Sequence, residues 1–381
     1  MSLAKKQKKG VLLPPAVGYS LKIMAGLFTR NQVSARYYPR LVIITLINLI
    51  NYPFRTWERL LINPGFKNEA IKNDPVFIVG HWRSGTTHLH NLLCQDERLG
   101  FVTTYQSVFP DTLLAGLGRF IFGGFTKLLI PGTRKGDNVK LDTANPQEEE
   151  FALGDKTPVC FYYFWMFPKN IRNYYDRFIR FRGIPDSQLQ SWKNDYKLLI
   201  KKALKNTGRV QFLSKNPPNT ARIKVLLEMF PNAKFIHIHR NPVEVFLSTR
   251  HFYSKMLPYL QLHSITQEEI DYHIFDIYKK LMSDFLEQKT LVPASNFVEI
   301  AFDDLEKDPL NNLKHIYEKL DLPGFEDALP AFTNYRQSMD SYEKNKHTIS
   351  RDLLEKIRHE WGFAMKHFNY AVPENIGITN E

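Results

Sequence analysis

PVFIVGHWRSGTTHLHNLL, residues 75–93, is the stretch from which the fold can be read. Val76, Phe77, Ile78 and Val79 form a short apolar run of the kind found in a strand covered on both faces. Leu89, Leu92 and Leu93 then recur at helical spacing. Between them lies a turn from Gly80 to Thr87. Gly80 and Gly85 can take backbone angles closed to other residues, so the N–H groups of the turn and of the first helical turn can converge on an anion. Arg83 adds a fixed cation, and Ser84, Thr86 and Thr87 add hydroxyl donors. Strand, glycine-rich turn and helix start together read as a phosphate cradle.

The spacing matches the nucleotide-binding loop GxxxxGK[ST] with one departure: Thr86 occupies the lysine position, and the basic residue lies upstream at Arg83. A kinase or GTPase uses that lysine, with magnesium, against a multiply charged γ-phosphate. Its absence points to a transferred group of lower charge, and a sulfuryl group fits, with Arg83 serving the leaving phosphate and no metal expected. A P-loop kinase or nucleotidase using ATP and magnesium is the alternative. A membrane-associated binding protein with an inactive cradle is a second.

A further segment, AKFIHIHRNPVEVFLS at residues 233–248, repeats the pattern of strand, turn and helix. Phe235, Ile236 and Ile238 suggest a core strand, Asn241 and Pro242 a turn, and Val243 to Leu247 a helix start. Ligands of open α/β sheets sit beyond the carboxyl ends of the strands. Arg240 therefore belongs on the same rim as residues 80–87, with Ser248 about two turns into its helix. The competing reading pairs Arg240 with Glu244 or Asp303 on the surface.

The segment GHWRSGTTHLHNLL resembles the 5′-phosphosulfate loop of the sulfotransferases, and HRNPVEVFLS resembles their 3′-phosphate motif. The similarity extends to QEEEFAL (147–153), LSKNPP (213–218), Asp303 to Leu305 with Asp308 and Pro309, and a stretch near Lys346 and His347. It covers residues 75–370 and has the layout of the large bacterial sulfotransferase family. The resemblance implies 3′-phosphoadenosine 5′-phosphosulfate as donor. It assigns Gly80, Arg83, Ser84, Gly85, Thr86 and Thr87 to the 5′-phosphosulfate, Arg240 and Ser248 to the 3′-phosphate, and Lys346 to a basic loop closing over the nucleotide. Arg83 takes a catalytic role; it cannot lose its proton, so it acts only by stabilising charge. Lys215 is the candidate second cation on the bridging oxygen. Glu148 and Glu150 are the favoured general bases, with His81 and His88 as competitors.

Strands expected at 101–105, 210–213, 235–239 and 297–301 alternate with helices at 221–230, 268–289 and 310–320. Such alternation implies right-handed crossovers. The expected fold is α/β, a P-loop-type three-layer α/β/α arrangement about a central, mainly parallel sheet, plus a helical N-terminal extension. The expected division is an extension over residues 1–70 and an α/β domain over 71–375, with a C-terminal helix at 351–369 packing back.

The 381 residues, 43% of them hydrophobic, suffice for a large core. Cys94 and Cys160 are the two cysteines, too few for a disulfide framework, so a reduced, cytoplasmic setting is expected. Residues 1–60 hold ten Lys or Arg against the single acid Glu58, which is nine of the formal net charge of +12. The run LVIITLINLI (41–50) within this region is shorter than the roughly 20 apolar residues a spanning helix needs. A basic, aromatic helix of this kind suits the interface of an anionic membrane, which makes attachment to its inner face a candidate. Packing on the sheet domain is the alternative. The basic stretch carries no nucleic-acid-reading module. Two apolar segments, 117–130 and 161–168, are candidate walls for the acceptor, which is expected to be a small molecule, lipid or glycan; aromatic clusters of this kind also build cores. The oligomeric state is left open.

Overall fold

The structure, a computed structural model, describes residues 15–129, 142–338, 348–374 and 376–379. In chain order, helices α1 (Leu21–Phe28) and α2 (Tyr38–Trp57) precede strand β1 (Val76–Val79), α3 (Thr86–Leu93), β2 (Leu99–Gly100), α4 (Thr104–Val108), α5 (Gly116–Leu129) and α6 (Glu149–Lys156). Next come α7 (Ile171–Tyr174), α8 (Asp186–Thr207), β3 (Gln211–Lys215), α9 (Ile223–Met229), β4 (Lys234–His239), α10 (Pro242–Leu260) and α11 (Gln267–Gln288). The chain ends with β5 (Phe297–Ala301), α12 (Phe302–Lys307), α13 (Pro309–Lys319), α14 (Phe325–Gln337), β6 (Thr348–Ser350), α15 (Arg351–His367) and β7 (Gly377–Thr379).

The described residues fall into two compact units: those within 71–101, 207–251 and 266–381 form a sheet unit, and those within 1–70, 102–206 and 252–265 a helical unit. In the sheet unit five strands run parallel in the order β2-β3-β1-β4-β5, with β1 at the centre. Every side chain of β1 is fully buried, as its unbroken apolar run requires. Val76, Ile78, Ile236, Ile238 and Ile300 face a core completed by Leu89 and Leu93 of α3 and by Leu313 and Ile316 of α13. Phe77 faces the other way and stacks on its register partner Phe235, ring centroids 5.4 Å apart. On that side His237 stacks on Phe285 of α11 at 3.9 Å, and Trp361 of α15 stacks on Tyr278 of α11 at 3.8 Å. Helices thus cover both faces of the sheet, giving the three-layer arrangement.

Helix starts follow local chemistry. Thr266 and Glu269 form a reciprocal capping box on α11, Asp308 caps α13 ahead of Pro309, and Ser350 caps α15. One expected strand is absent: Phe101 to Tyr105 forms no strand, only an isolated antiparallel bridge from Thr103 to Pro146. Thr103 instead caps α4, its hydroxyl accepting from the Gln106 N–H, and the N–H groups of Thr104 and Tyr105 bond to the carbonyls of Asn145 and Thr143. The strand in that place is the two-residue β2 just upstream. In the helical unit, the segment from Phe161 to Trp165 forms a wholly buried 3₁₀ turn whose rings pack on one another and on Tyr253, so these aromatics are core.

Candidate active site

The turn after β1 is fixed by its backbone. Gly80, Arg83 and Gly85 all have positive φ, at 147°, 70° and 92°. Left-handed residues set among ordinary ones turn neighbouring N–H groups towards a common point. Neither glycine tolerates a side chain: a Cβ on Gly80 would lie 2.3 Å from the Ile238 carbonyl oxygen, and one on Gly85 would lie 2.1 Å from the Phe302 ring. Gly85 is also the N-cap of α3, so the turn delivers its amides to the positive end of that helix. Arg83 holds its left-handed backbone without the exemption glycine enjoys, a strain of about 1–2 kcal/mol. Strain of that kind persists where the side chain is needed in one place.

Two contacts lock the loop. The Gly80 N–H donates to the Thr220 hydroxyl at 2.8 Å, and that hydroxyl donates back to the Gly80 carbonyl at 3.1 Å. Arg83 Nε donates to Ser248 Oγ at 2.9 Å. The second bond joins the turn after β1 to helix α10, so the two segments singled out in the sequence meet within the sheet unit. Ser84 and Thr86 are buried, while Arg83, Thr87 and Ser248 are half-buried, as suits a rim that a ligand can reach.

Arg240 stands at the carboxyl end of β4. Its Nε donates to Glu244 at 3.0 Å, and its guanidinium carbon lies 4.6 Å above the Phe302 ring. The pairing with Glu244 is thus present. It engages one edge of a five-donor fork and orients the plane. Asn241 holds the next turn, accepting from the Val243 N–H and donating to the Ala371 carbonyl at 2.7 Å. His239 packs on Phe368 at 4.3 Å and bonds through Nδ1 to the Tyr370 hydroxyl at 2.9 Å. Its pKa falls to about 4, chiefly by burial and then by His237.

Lys215 ends β3, opposite Ile78 of β1 in register, and is buried. Burial first, and the Lys215 charge second, hold the His90 imidazole of α3 well below its usual pKa. Of the two histidines considered as bases, His81 is depressed to about 4 by burial, with the Trp82 carbonyl opposing, and His88 is lowered by burial against the pull of Glu306. His81 is thus a poor proton acceptor at neutral pH, and burial weakens His88 in the same direction.

Glu148 and Glu150 belong to the helical unit. Glu148 is the N-cap residue of α6 and accepts the Tyr162 hydroxyl. Glu150, fully buried, accepts the Phe161 N–H at 2.8 Å. Glu150 therefore holds the aromatic turn, and Glu148, 8% exposed, is the more accessible of the two carboxylates. Lys346, with Lys344 and His347, lies outside the described residues. Two site residues were missed in the sequence, Thr220 and Phe302. Thr220 sits two positions beyond the LSKNPP match, and Phe302 immediately precedes the Asp303–Asp304 pair. Among the described residues there is no cluster of His, Cys, Asp or Glu that could hold a metal ion.

Residues 75–327 match the model of a family described as the sulfotransferase family. Proteins from Mycobacterium bovis and Mycobacterium tuberculosis named omega-hydroxy-beta-dihydromenaquinone-9 sulfotransferase Stf3 are 29% identical over 359 residues, which is 94% of this chain and 91% of theirs. Among solved structures, sulfotransferase STF9 of Mycobacterium avium superposes with a TM-score of 0.67 at 16% identity, covering 92% of this chain and 90% of its own. Sulfotransferase STF1 of Mycobacterium tuberculosis gives 0.61 at 17% identity, covering 83% and 85%. These likenesses establish the three-layer fold. With Thr86 in the lysine position, the family match tells against the kinase alternative.

Proposed function

The chain belongs to the sulfotransferase family, and on that premise we propose that it moves the sulfuryl group of 3′-phosphoadenosine 5′-phosphosulfate onto the hydroxyl of a lipid-like acceptor. When bound, the donor supplies an activated sulfur whose leaving group is a phosphate. The turn amides, Ser84, Thr86 and Thr87 hold the 5′ end, and Arg240 with Ser248 holds the 3′-phosphate. The observation that carries this reading is the Arg83–Ser248 hydrogen bond, which ties the cation serving one phosphate to the hydroxyl serving the other.

In the proposed reaction the acceptor oxygen forms a bond to sulfur as the bond from sulfur to the bridging oxygen breaks. Arg83 and Lys215 stabilise the charge that appears on the leaving phosphate. The acceptor proton passes to a carboxylate, and Glu148 is the better candidate, because it is 8% exposed whereas Glu150 is fully buried. The lipid-like acceptor rests on the mycobacterial Stf3 relatives, whose name gives a hydroxylated dihydromenaquinone as substrate.

Incubating the purified protein with sulfur-labelled donor, without added metal, against a hydroxylated isoprenoid quinol, a long-chain alcohol and a small phenol tests the reading. Transfer to one of the first two and not to the phenol is expected. Transfer only to the phenol, or to none, would overturn the acceptor assignment.

A further inference from the structure

Helix α2 is amphipathic in the reverse of the usual sense. Its inward seam, at alternating spacings of four and three residues, is Ile44, Asn48, Asn51 and Arg55, continued by Glu58 at the next turn, and all five are buried. Four of the five are polar or charged. Asn48 accepts from the Gly18 N–H at 2.7 Å and donates to the Ala16 carbonyl at 2.8 Å. Arg55 donates to the Gly18 carbonyl at 3.1 Å and is ion-paired with Asp155. Glu58 accepts from the Leu114 and Ala115 N–H groups and pairs with Lys202. These bonds fix the rotation of the helix about its axis.

The opposite stripe therefore points outward, and it is apolar. Val42, Leu46, Ile50 and Trp57, with Leu60 and Leu61 in the π-helical turn Glu58–Ile62 that continues the helix, are between 54% and 67% exposed. Helix α5 meets α2 through a Phe54–Phe122 edge contact of 5.8 Å and adds Phe120, 82% exposed. A soluble surface rarely keeps so long an apolar row, and such rows mark binding faces. A 20-residue helix is about 30 Å long.

Charge selects the occupant. Arg36, exposed, flanks one end of the stripe and Arg59 the other, with 49% of its side chain exposed although it lies 4.0 Å from Asp111, while Glu58, the single carboxylate between residues 15 and 62, is buried. Tyr38, Tyr52 and Trp57, all exposed, are the residue types that favour the boundary between water and acyl chains. Self-pairing of this face would bring arginines of two copies together with no acid on the face to meet them. No helix among the described residues is long and apolar enough to cross a membrane. We infer that the outward face of α2, with Phe120 of α5, lies on the surface of an anionic membrane, its apolar stripe among the acyl chains and its arginines at the headgroups. The inference stands on the helical unit alone and needs neither the donor nor the acceptor proposed above.

Co-sedimentation of the full chain with donor-free and acceptor-free vesicles tests it. Vesicles containing phosphatidylglycerol should retain the protein, and phosphatidylcholine alone should retain it at least tenfold less. The double variant Leu46→Glu/Ile50→Glu should lose retention with an unchanged melting temperature, since both positions are exposed, and Arg59→Gln should weaken it about fivefold. Equal retention of the double variant and the parent, or no retention of the parent on anionic vesicles, would overturn the inference. So would a dimer in solution that these two substitutions dissociate. Because neither substrate is present, sulfuryl transfer can fail while vesicle binding succeeds, and the reverse.

Discussion

Arg83 Nε and Ser248 Oγ lie 2.9 Å apart across 165 residues of chain. The bond spans the turn after β1 and the helix after β4, two adjacent strands of the same sheet. Parallel strands bring their carboxyl ends to one rim, so residues distant in sequence meet there without special loops. What Arg83 does electrostatically thus depends on a helix from the other motif.

Replacing Arg83 separates activity from stability. Arg83→Gly relieves a φ of 70° and should leave the protein as stable or up to about 1 kcal/mol more stable. Turnover should fall about 10²–10³-fold. Steady-state assays beside thermal melts check both, and a variant that keeps its turnover would remove Arg83 from the chemistry.

Gly85→Ala should act on two phosphate sites at once. The new methyl group meets Phe302, whose ring also lies under the Arg240 guanidinium. With the positive φ added, roughly 2–4 kcal/mol of stability should be lost. Binding of 3′-phosphoadenosine 5′-phosphate should weaken beyond what the loop change alone explains. Phe302→Ala, measured in parallel by calorimetry, should reproduce the part of the affinity loss that passes through Arg240.

The two carboxylates of α6 should divide their roles. Glu150→Gln weakens the hold on the Phe161 amide and should lower the melting temperature. Glu148→Gln should lower kcat about 10²–10⁴-fold with little change in KM for donor. Both variants need activity and stability measured side by side; a Glu150→Gln enzyme that is stable but inactive would reverse the assignment.

Acid should destabilise the fold through His81. Its folded pKa is about 4 against 6.5 when exposed. Between those values the unfolded chain binds the extra proton, so stability falls as pH drops from 6.5 to 4, by on the order of 3 kcal/mol at most. Asp155 runs the other way: burial raises it to about 6, so the native state takes up the proton first and gains stability on acidification between about 6 and 3.8. Melting curves against pH for His81→Gln should show a smaller acid loss than the parent. An identical slope would mean that His81 is protonated in the native state.

The buried charges of the helical unit should be intolerant of partial removal. Lys202 pairs with Glu58 and lies 3.4 Å from Asp111. Lys202→Met leaves both acids short of a partner and should cost roughly 3–5 kcal/mol in chemical denaturation.

The parts of the fold legible in the sequence are those set by local pattern. The apolar run from Val76 to Val79 bounded by Gly80 reads as a buried strand, and the alternating run from Phe297 to Ala301 as a half-buried one, and both are strands. Phe101 to Tyr105 misled because β-branched and aromatic residues favour strands until a side chain offers the backbone another bond, as Thr103 does to Gln106. Thr220 and Phe302 were invisible because their roles arise from contacts with Gly80 and Gly85, far away in the chain. The inversion of α2 was hidden for the same reason: composition gives an apolar helix, but which side turns inward is decided by Gly18 and Asp155. Arg83 and Ser248 were each visible as members of a motif, while the bond between them was not.

Calorimetric titration with 3′-phosphoadenosine 5′-phosphate in the absence of metal tests the central claim most directly, with ATP and magnesium in a parallel run and Arg240→Ala and Ser248→Ala as controls. The account predicts binding of the bisphosphate without magnesium, weakened at least tenfold in Arg240→Ala and less in Ser248→Ala, and no comparable binding of ATP. Tight, magnesium-dependent binding of ATP with none of the bisphosphate would contradict it.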